Sequence, residues 1–187
     1  MKTLTILFFI LFAISFALNA QITKGNWMVG GDASFFSNKT ESNYNGNINT
    51  SETSYLRLSP NIGYFFMDKL NGGIGLNLNF VDPGKTLNSQ GYGFNPYIRY
   101  YFLEAKNQIN LFSQLGYNWG FGKNGLGIKT DTNGYNFKIG SALFFNSCVG
   151  LEFSLNYSHI KNVNDKIDTY VTNQFLVGLG FQIHLEK

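Results

Sequence analysis

Trp27 opens a run in which every second residue is apolar, and the same alternation returns seven more times before the chain ends. A period of two is the mark of a strand with one face in an apolar medium and the other in a polar one. The first segment runs from Trp27 to about Phe36, with Val29, Ala33 and Phe35 on the apolar side and Asp32 and Ser34 opposite. The second sets Leu56, Leu58, Ile62, Tyr64 and Phe66 against Arg57, Ser59 and Asn61. In the third, Ile74, Leu76, Leu78 and Phe80 alternate with glycine and asparagine, and in the fourth Tyr92, Phe94, Ile98, Tyr100 and Phe102 oppose Asn95, Tyr97, Arg99 and Tyr101. The fifth carries Ile109, Leu111, Leu115, Tyr117, Trp119 and Phe121 against Asn110, Phe112, Gln114 and Asn118. The last three repeat the pattern from Tyr135 to Phe145, Val149 to Tyr157 and Phe175 to Leu185, with Lys138, Glu152 and His184 on the polar side.

The apolar face of all eight segments carries no charged residue. A soluble barrel would coat its exterior with lysine and glutamate, yet here the polar face is mostly Gly, Asn, Ser and Gln, small enough to fill a narrow interior. Only 13% of the residues are charged, against about 25% in a soluble domain. The apolar face therefore points outward, into lipid. Aromatics gather at both ends of the segments, Trp27, Tyr64, Phe66, Tyr100 and Phe102 at one and Phe80, Tyr92, Trp119, Phe121, Tyr135 and Tyr157 at the other, as two interfacial girdles do.

The connections alternate in length. Met67 to Asn71, Leu103 to Gln108 and Asn146 to Cys148 are short, whereas Asn38 to Ser54, Asp82 to Gln90, Gly122 to Gly134 and Ile160 to Asn173 are long and polar. Short turns on one rim and long loops on the other are the layout of outer-membrane barrels, for which eight strands is the smallest number. The expected fold is all-β, an eight-stranded antiparallel up-and-down transmembrane β-barrel over residues 21–187. The expected location is the cell outer membrane, with lipid as the surrounding partner and any extracellular ligand held by the long loops.

The start of the chain agrees. Lys2, the apolar stretch Leu4 to Leu18 and then Asn19-Ala20-Gln21 have the layout of a secretory signal peptide. At about fifteen residues the stretch is shorter than the roughly 20 needed to span a bilayer as a helix. Residues 1–20 are expected to be cleaved. The 14 basic and 11 acidic residues are scattered without a block, which speaks against a nucleic-acid partner. Cys148 is the only cysteine, so the chain has no intramolecular disulfide.

Pro60 and Pro96 interrupt two segments, and each is expected to cause a bulge or a missing ladder bond because proline has no N–H to donate. They also mark an internal repeat, Pro60-Asn61-Ile62-Gly63-Tyr64-Phe65-Phe66 against Pro96-Tyr97-Ile98-Arg99-Tyr100-Tyr101-Phe102. Leu58-Ser59-Pro60-Asn61-Ile62-Gly63-Tyr64-Phe65, a short turn and Gly73-Ile74-Gly75-Leu76 resemble the hairpin of the outer-membrane-protein β-barrel domain family, small porin-like barrels of Gram-negative bacteria. The resemblance implies insertion by the barrel-assembly machinery. The chain departs from the family at its end, where an aromatic is common and this sequence runs on from Phe181 to Lys187.

The charges on the inward face are few: Asp32, Arg57, Arg99, Lys138 and Glu152. Buried charges must pair or stay hydrated. They are expected to form a lumenal network that plugs the barrel, Glu152 with Lys138 or Arg99, and Asp32 towards Arg57. A small-solute channel is the alternative. Lipid A deacylases are similar in size and topology and use a His-x-Ser pair. Here the only comparable cluster is Tyr157-Ser158-His159, in reversed order, so Ser158 and His159 should point to opposite faces. Gly120-Phe121-Gly122-Lys123-Asn124-Gly125 matches a dinucleotide fingerprint, but another strand follows where a helix is needed. No catalytic residue, cofactor or metal site is expected, and the role is expected to be structural or in surface interaction.

Overall fold

A computed structural model of the chain describes residues 22–44, 47–82, 89–123, 127–164 and 169–186. The expected signal segment, residues 1–20, lies outside them. Eight strands follow one another, β1 (Trp27–Tyr44), β2 (Asn47–Met67), β3 (Leu70–Asp82), β4 (Ser89–Tyr101), β5 (Ile109–Lys123), β6 (Lys129–Phe144), β7 (Val149–Asn164) and β8 (Tyr170–Leu185). Each pairs antiparallel with its neighbours in sequence, and β1 meets β8 to close the barrel. Even a strand of 13 residues, such as β3, extends about 43 Å, which at a tilt of about 45° rises roughly 30 Å and crosses the hydrocarbon.

The register puts the apolar set outside. Ile62, Ile74, Leu115, Ile139, Phe153 and Leu155 are exposed, while Met28, Phe65, Asn71, Arg99, Asn110 and Gln182 are buried. Such a surface would be ruinous in water and is matched to lipid. Aromatic pairs sit at both edges of the belt, Trp27 with Tyr64 and Tyr100 with Phe102 at the short-turn rim, Phe94 with Trp119 and Tyr157 with Phe175 towards the other. The short turns are tightly bonded. Asn146 Oδ1 accepts the N–H groups of Cys148 and Val149 at 2.8 and 2.7 Å and folds the β6–β7 turn back on itself.

Three of the four long connections prove much shorter than expected, while the one between β3 and β4 runs from Asp82 to Ser89, close to the expected bounds. β1 and β2 remain paired from Trp27↔Tyr64 up to Tyr44↔Asn47, so most of Asn38 to Ser54 is hairpin rather than loop. β5 likewise runs to Lys123 before β6 begins at Lys129, and β7 to Asn164 before β8 begins at Tyr170. Apolar alternation reports only the depth of strand that lies in hydrocarbon. Above it the ladder continues through a sequence in which Thr, Asn and Ser occupy both parities, which leaves no alternation to read.

Both prolines leave the gap that their missing N–H requires. Pro60 is paired with Gly31 on β1, but the β2–β3 ladder skips from Leu58↔Leu78 to Asn61↔Gly75. Pro96 is paired with Ile74, but the β4–β5 ladder skips from Phe94↔Trp119 to Tyr97↔Gly116. Each proline thus costs pairing on one side only. The β2–β3 irregularity that the structure does contain lies lower, between Phe65 and Met67.

The closing seam is the weakest. β1 and β8 pair only from Trp27↔Leu185 to Asp32↔Gly180, whereas β1 pairs with β2 along its whole length. Phe175 and Val177, on the uncovered stretch of β8, are 80% and 78% exposed, more than any other large apolar side chain described. Alternate amides of Thr172–Leu179 are expected to exchange with deuterium about tenfold faster than amides at the same depth in β7, the worth of one lost backbone hydrogen bond. Uniform protection along β8, read by NMR in micelles, would mean that the seam zips shut in lipid.

Candidate functional site: the lumen

The alternation that sends leucines out to lipid sends the opposite side chains into the bore, and the five inward charges separate into two levels there. Arg99 on β4 is 1% exposed and forms an ion pair with Glu152 on β7. Its Nε donates to Gln114 Oε1 at 2.8 Å and its Nη1 to Tyr101 Oη at 3.1 Å. The guanidinium carbon lies 4.4 Å from the centroid of the Phe112 ring and 5.9 Å from those of Tyr97 and Tyr101. A planar five-donor cation satisfied on its edge by oxygens and on its face by a ring is a fully compensated buried charge.

Below this pair, at the short-turn end, lies an aromatic layer. His184 is fully buried, with the rings of Phe144 and Phe65 at 5.4 and 5.5 Å. Phe65 and Tyr101, equivalent positions of the repeated hairpin, lie 5.9 Å apart. Tyr101 Oη donates to Gln182 Oε1. Met28 and Ile22 complete the layer. Glycines opposite the large rings make room for them. A Cβ on Gly73 would come within 2.5 Å of Tyr97 Oη, and one on Gly140 within 2.8 Å of Phe112 Cζ.

Above the Arg99 level the bore is different. Asp32 on β1 and Lys138 on β6 form an ion pair across it at 3.1 Å. Asp32 thus makes its direct ion pair with Lys138 and not, as expected, with Arg57, although its charge still acts on the Arg57 guanidinium. Arg57 stands directly opposite Asn79 in the β2–β3 register and donates to its Oδ1 at 2.8 Å. A lysine stem is long enough to cross a bore of this width, and the neighbouring asparagine is the nearer acceptor for Arg57. The alternation could assign these side chains to the lumen, but pairing across a lumen depends on the axial level at which each strand enters it. The inward parity of Tyr97, Tyr101 and Phe112 was open to reading; what the sequence did not show was that Gly73 stands opposite Tyr97 and Gly140 opposite Phe112.

The level above is lined by Asn77, Asn95, Asn118, Asn136, Asn156 and Ser158 around a cavity of about 370 Å³. Ser158 faces this cavity, whereas His159 sits on the outer wall, stacked on Tyr135 at 4.9 Å and hydrogen-bonded to Asn173 at 2.7 Å. The two are on opposite faces and do not make a base and nucleophile. Among the described residues no three His, Cys, Asp or Glu side chains gather as a metal-ligand set. Asn124 and Gly125 of the glycine-rich run lie outside the described residues, and its first glycines end β5 without entering a helix.

No family model matches the chain, and no curated protein matches it. Solved structures do. The outer membrane protein OprG from Pseudomonas aeruginosa superposes with a TM-score of 0.61 at 14% identity, over 91% of this chain and 100% of that one. This chain has the fold of the small outer-membrane β-barrels. Neisserial surface protein A (NspA) gives a TM-score of 0.57 at 14% identity, over 88% of this chain and 100% of that one. The outer membrane protein AlkL, solved in DMPC lipid bilayers, gives 0.54 at 12%, over 91% and 95%. The match covers nearly the whole of each neighbour, which makes the likeness one of the entire barrel.

The short-turn rim carries one further ion pair, outside the membrane-spanning segments. Lys69, whose φ of 66° makes it the left-handed residue of the β2–β3 turn, donates to Glu104 Oε1 at 2.7 Å. The hydrogen bond and charge of Lys69 hold the Glu104 carboxyl below its ordinary 4.5. The same contact raises Lys69 above its ordinary 10.5. The pair's contribution is therefore complete between those two ordinary values. It is lost on the acid side as pH falls through the lowered Glu104 value, and on the alkaline side as pH rises through the raised Lys69 value. The stability difference between wild type and Glu104→Gln should stay level above the carboxylate range and shrink towards zero below it. A difference in urea midpoint that widens on acidification would contradict the pairing.

Proposed function

We propose that this chain resides in the outer membrane as a barrel blocked at its short-turn end, with a structural or surface-interaction role and no catalytic one. The observation that carries the reading is Arg99, a cation 1% exposed in the centre of the bore. A path for water or ions along the axis would hydrate it. Instead it is enclosed by Glu152, Gln114, Tyr101 and Phe112, with the Phe65, Phe144 and His184 layer beneath. The partners of such a protein are the lipid around its belt, the barrel-assembly machinery during insertion, and a ligand at the extracellular end. Nucleic acid is not among them.

The alternative, a small-solute channel, draws support from the cavity above the Asp32–Lys138 pair. Conductance in planar bilayers separates the two. The purified barrel is expected to give no stable unitary channels. Stable wild-type channels would overturn the blocked reading.

A further inference from the structure

The cavity of about 370 Å³ is at the lower end of the range for sites that enclose small ligands, and its chemistry is specific. Its floor is Tyr97, Gln114 and the Asp32–Lys138 pair. Its wall is made of amides and hydroxyls that partly satisfy each other: Asn77 and Asn95 both donate to Asn118 Oδ1, at 3.2 and 2.9 Å. One acceptor is left over. Asn156 Nδ2 donates to Ser158 Oγ at 3.2 Å, while Asn156 Oδ1 is buried with no hydrogen-bond partner. A buried acceptor in a polar cavity takes its donor from water or from a bound molecule, and a ligand hydroxyl can replace that water.

The charges are unbalanced in one direction. Arg57 and Lys138 line the cavity against Asp32, the one carboxylate among its described lining residues. Asp32 is engaged by Lys138. Arg57 has only the neutral Asn79 on its Nε, and among the described residues no carboxylate lies within ion-pair distance of its terminal nitrogens. A guanidinium with its Nη groups uncommitted, in a partly enclosed space, is shaped for a carboxylate.

We infer that the outer half of the lumen is a binding site for a small hydroxylated monocarboxylate, with the carboxylate on Arg57 and a ligand hydroxyl donating to Asn156. The inference deepens the reading of a blocked lumen, since a closed floor turns a passage into a site. The two fail separately, because conductance tests the floor and binding tests the site.

The test uses the purified barrel in detergent micelles, titrated with gluconate and, as an uncharged probe of the same carbon skeleton, sorbitol. Side-chain amide and guanidinium NMR signals report binding, and heat-modifiable gel migration reports folding. Gluconate should saturate with shifts at Arg57 and Asn156, and sorbitol should bind at least tenfold more weakly. Arg57→Gln should weaken gluconate about tenfold. Asp32→Asn should act in the opposite direction and tighten it several-fold, because it releases the Lys138 ammonium to the ligand. Opposite signs from two changes in one cavity cannot come from a general loosening of the barrel. Should Arg57→Gln fail to fold, Arg57→Lys keeps the charge without the fork, and the Asp32→Asn result still decides. Non-saturating shifts, equal binding of sorbitol, or weakening by Asp32→Asn would overturn the proposal.

Discussion

Replacing Glu152 by alanine is expected to destabilise the barrel by about 3–5 kcal/mol, the cost of leaving a buried cation without its partner. Arg99 is 1% exposed. Its neutral neighbours Gln114, Tyr101 and Gln182 can orient the guanidinium but cannot balance its charge. The buried rings of Phe65 and Phe144 pack beneath it. Urea unfolding in lipid vesicles measures the loss. A value below about 1 kcal/mol would mean that water does reach Arg99, and the blocked reading would fall with it. The complementary experiment replaces both partners by leucine. Such a change is expected to be neutral or stabilising, since two desolvated charges are exchanged for apolar packing. The contrast between a costly single substitution and a harmless double one assigns the effect to the unpaired charge rather than to lost volume.

An arginine in place of Leu155 is expected to cost about 2–4 kcal/mol, the figure for a cation at mid-depth on the lipid face of a barrel. Leu155 lies midway along β7, between Ile139 on β6 and Val177 on β8, and is 57% exposed. In water a half-exposed leucine would accept arginine for less than about 0.5 kcal/mol. The same substitution thus reads out the solvent around the belt. Carried out in vesicles and compared with an arginine at Phe102 on the short-turn rim, which should cost no more than about 1 kcal/mol, it gives the depth profile of the belt.

The alternation, the uncharged face and the count of eight segments were enough to state the barrel, because lipid tests every second residue of every strand. The prolines were legible for a similarly local reason, since a missing N–H must leave a gap wherever it sits. The extent of the strands was not legible. Beyond the aromatic girdles both parities of β1 and β2 are mostly polar in sequence, and Asn38 to Ser54 gave no sign that it would pair almost to its tip. The charged residues divide in the same way. Their inward direction followed from parity, yet Asp32 found Lys138 on β6 and not Arg57 on β2.

What the sequence by itself determined is which side of each strand meets lipid, because facing is a property of one strand and its solvent. What only the tertiary structure decided is what happens inside: that Arg99 and Glu152 meet within a cage of rings, that the seam between β1 and β8 is paired for a third of its length, and that a polar cavity remains above. Those features depend on the axial level at which side chains from non-adjacent strands enter one bore. That level is set by closure of the whole sheet, and no single strand carries it.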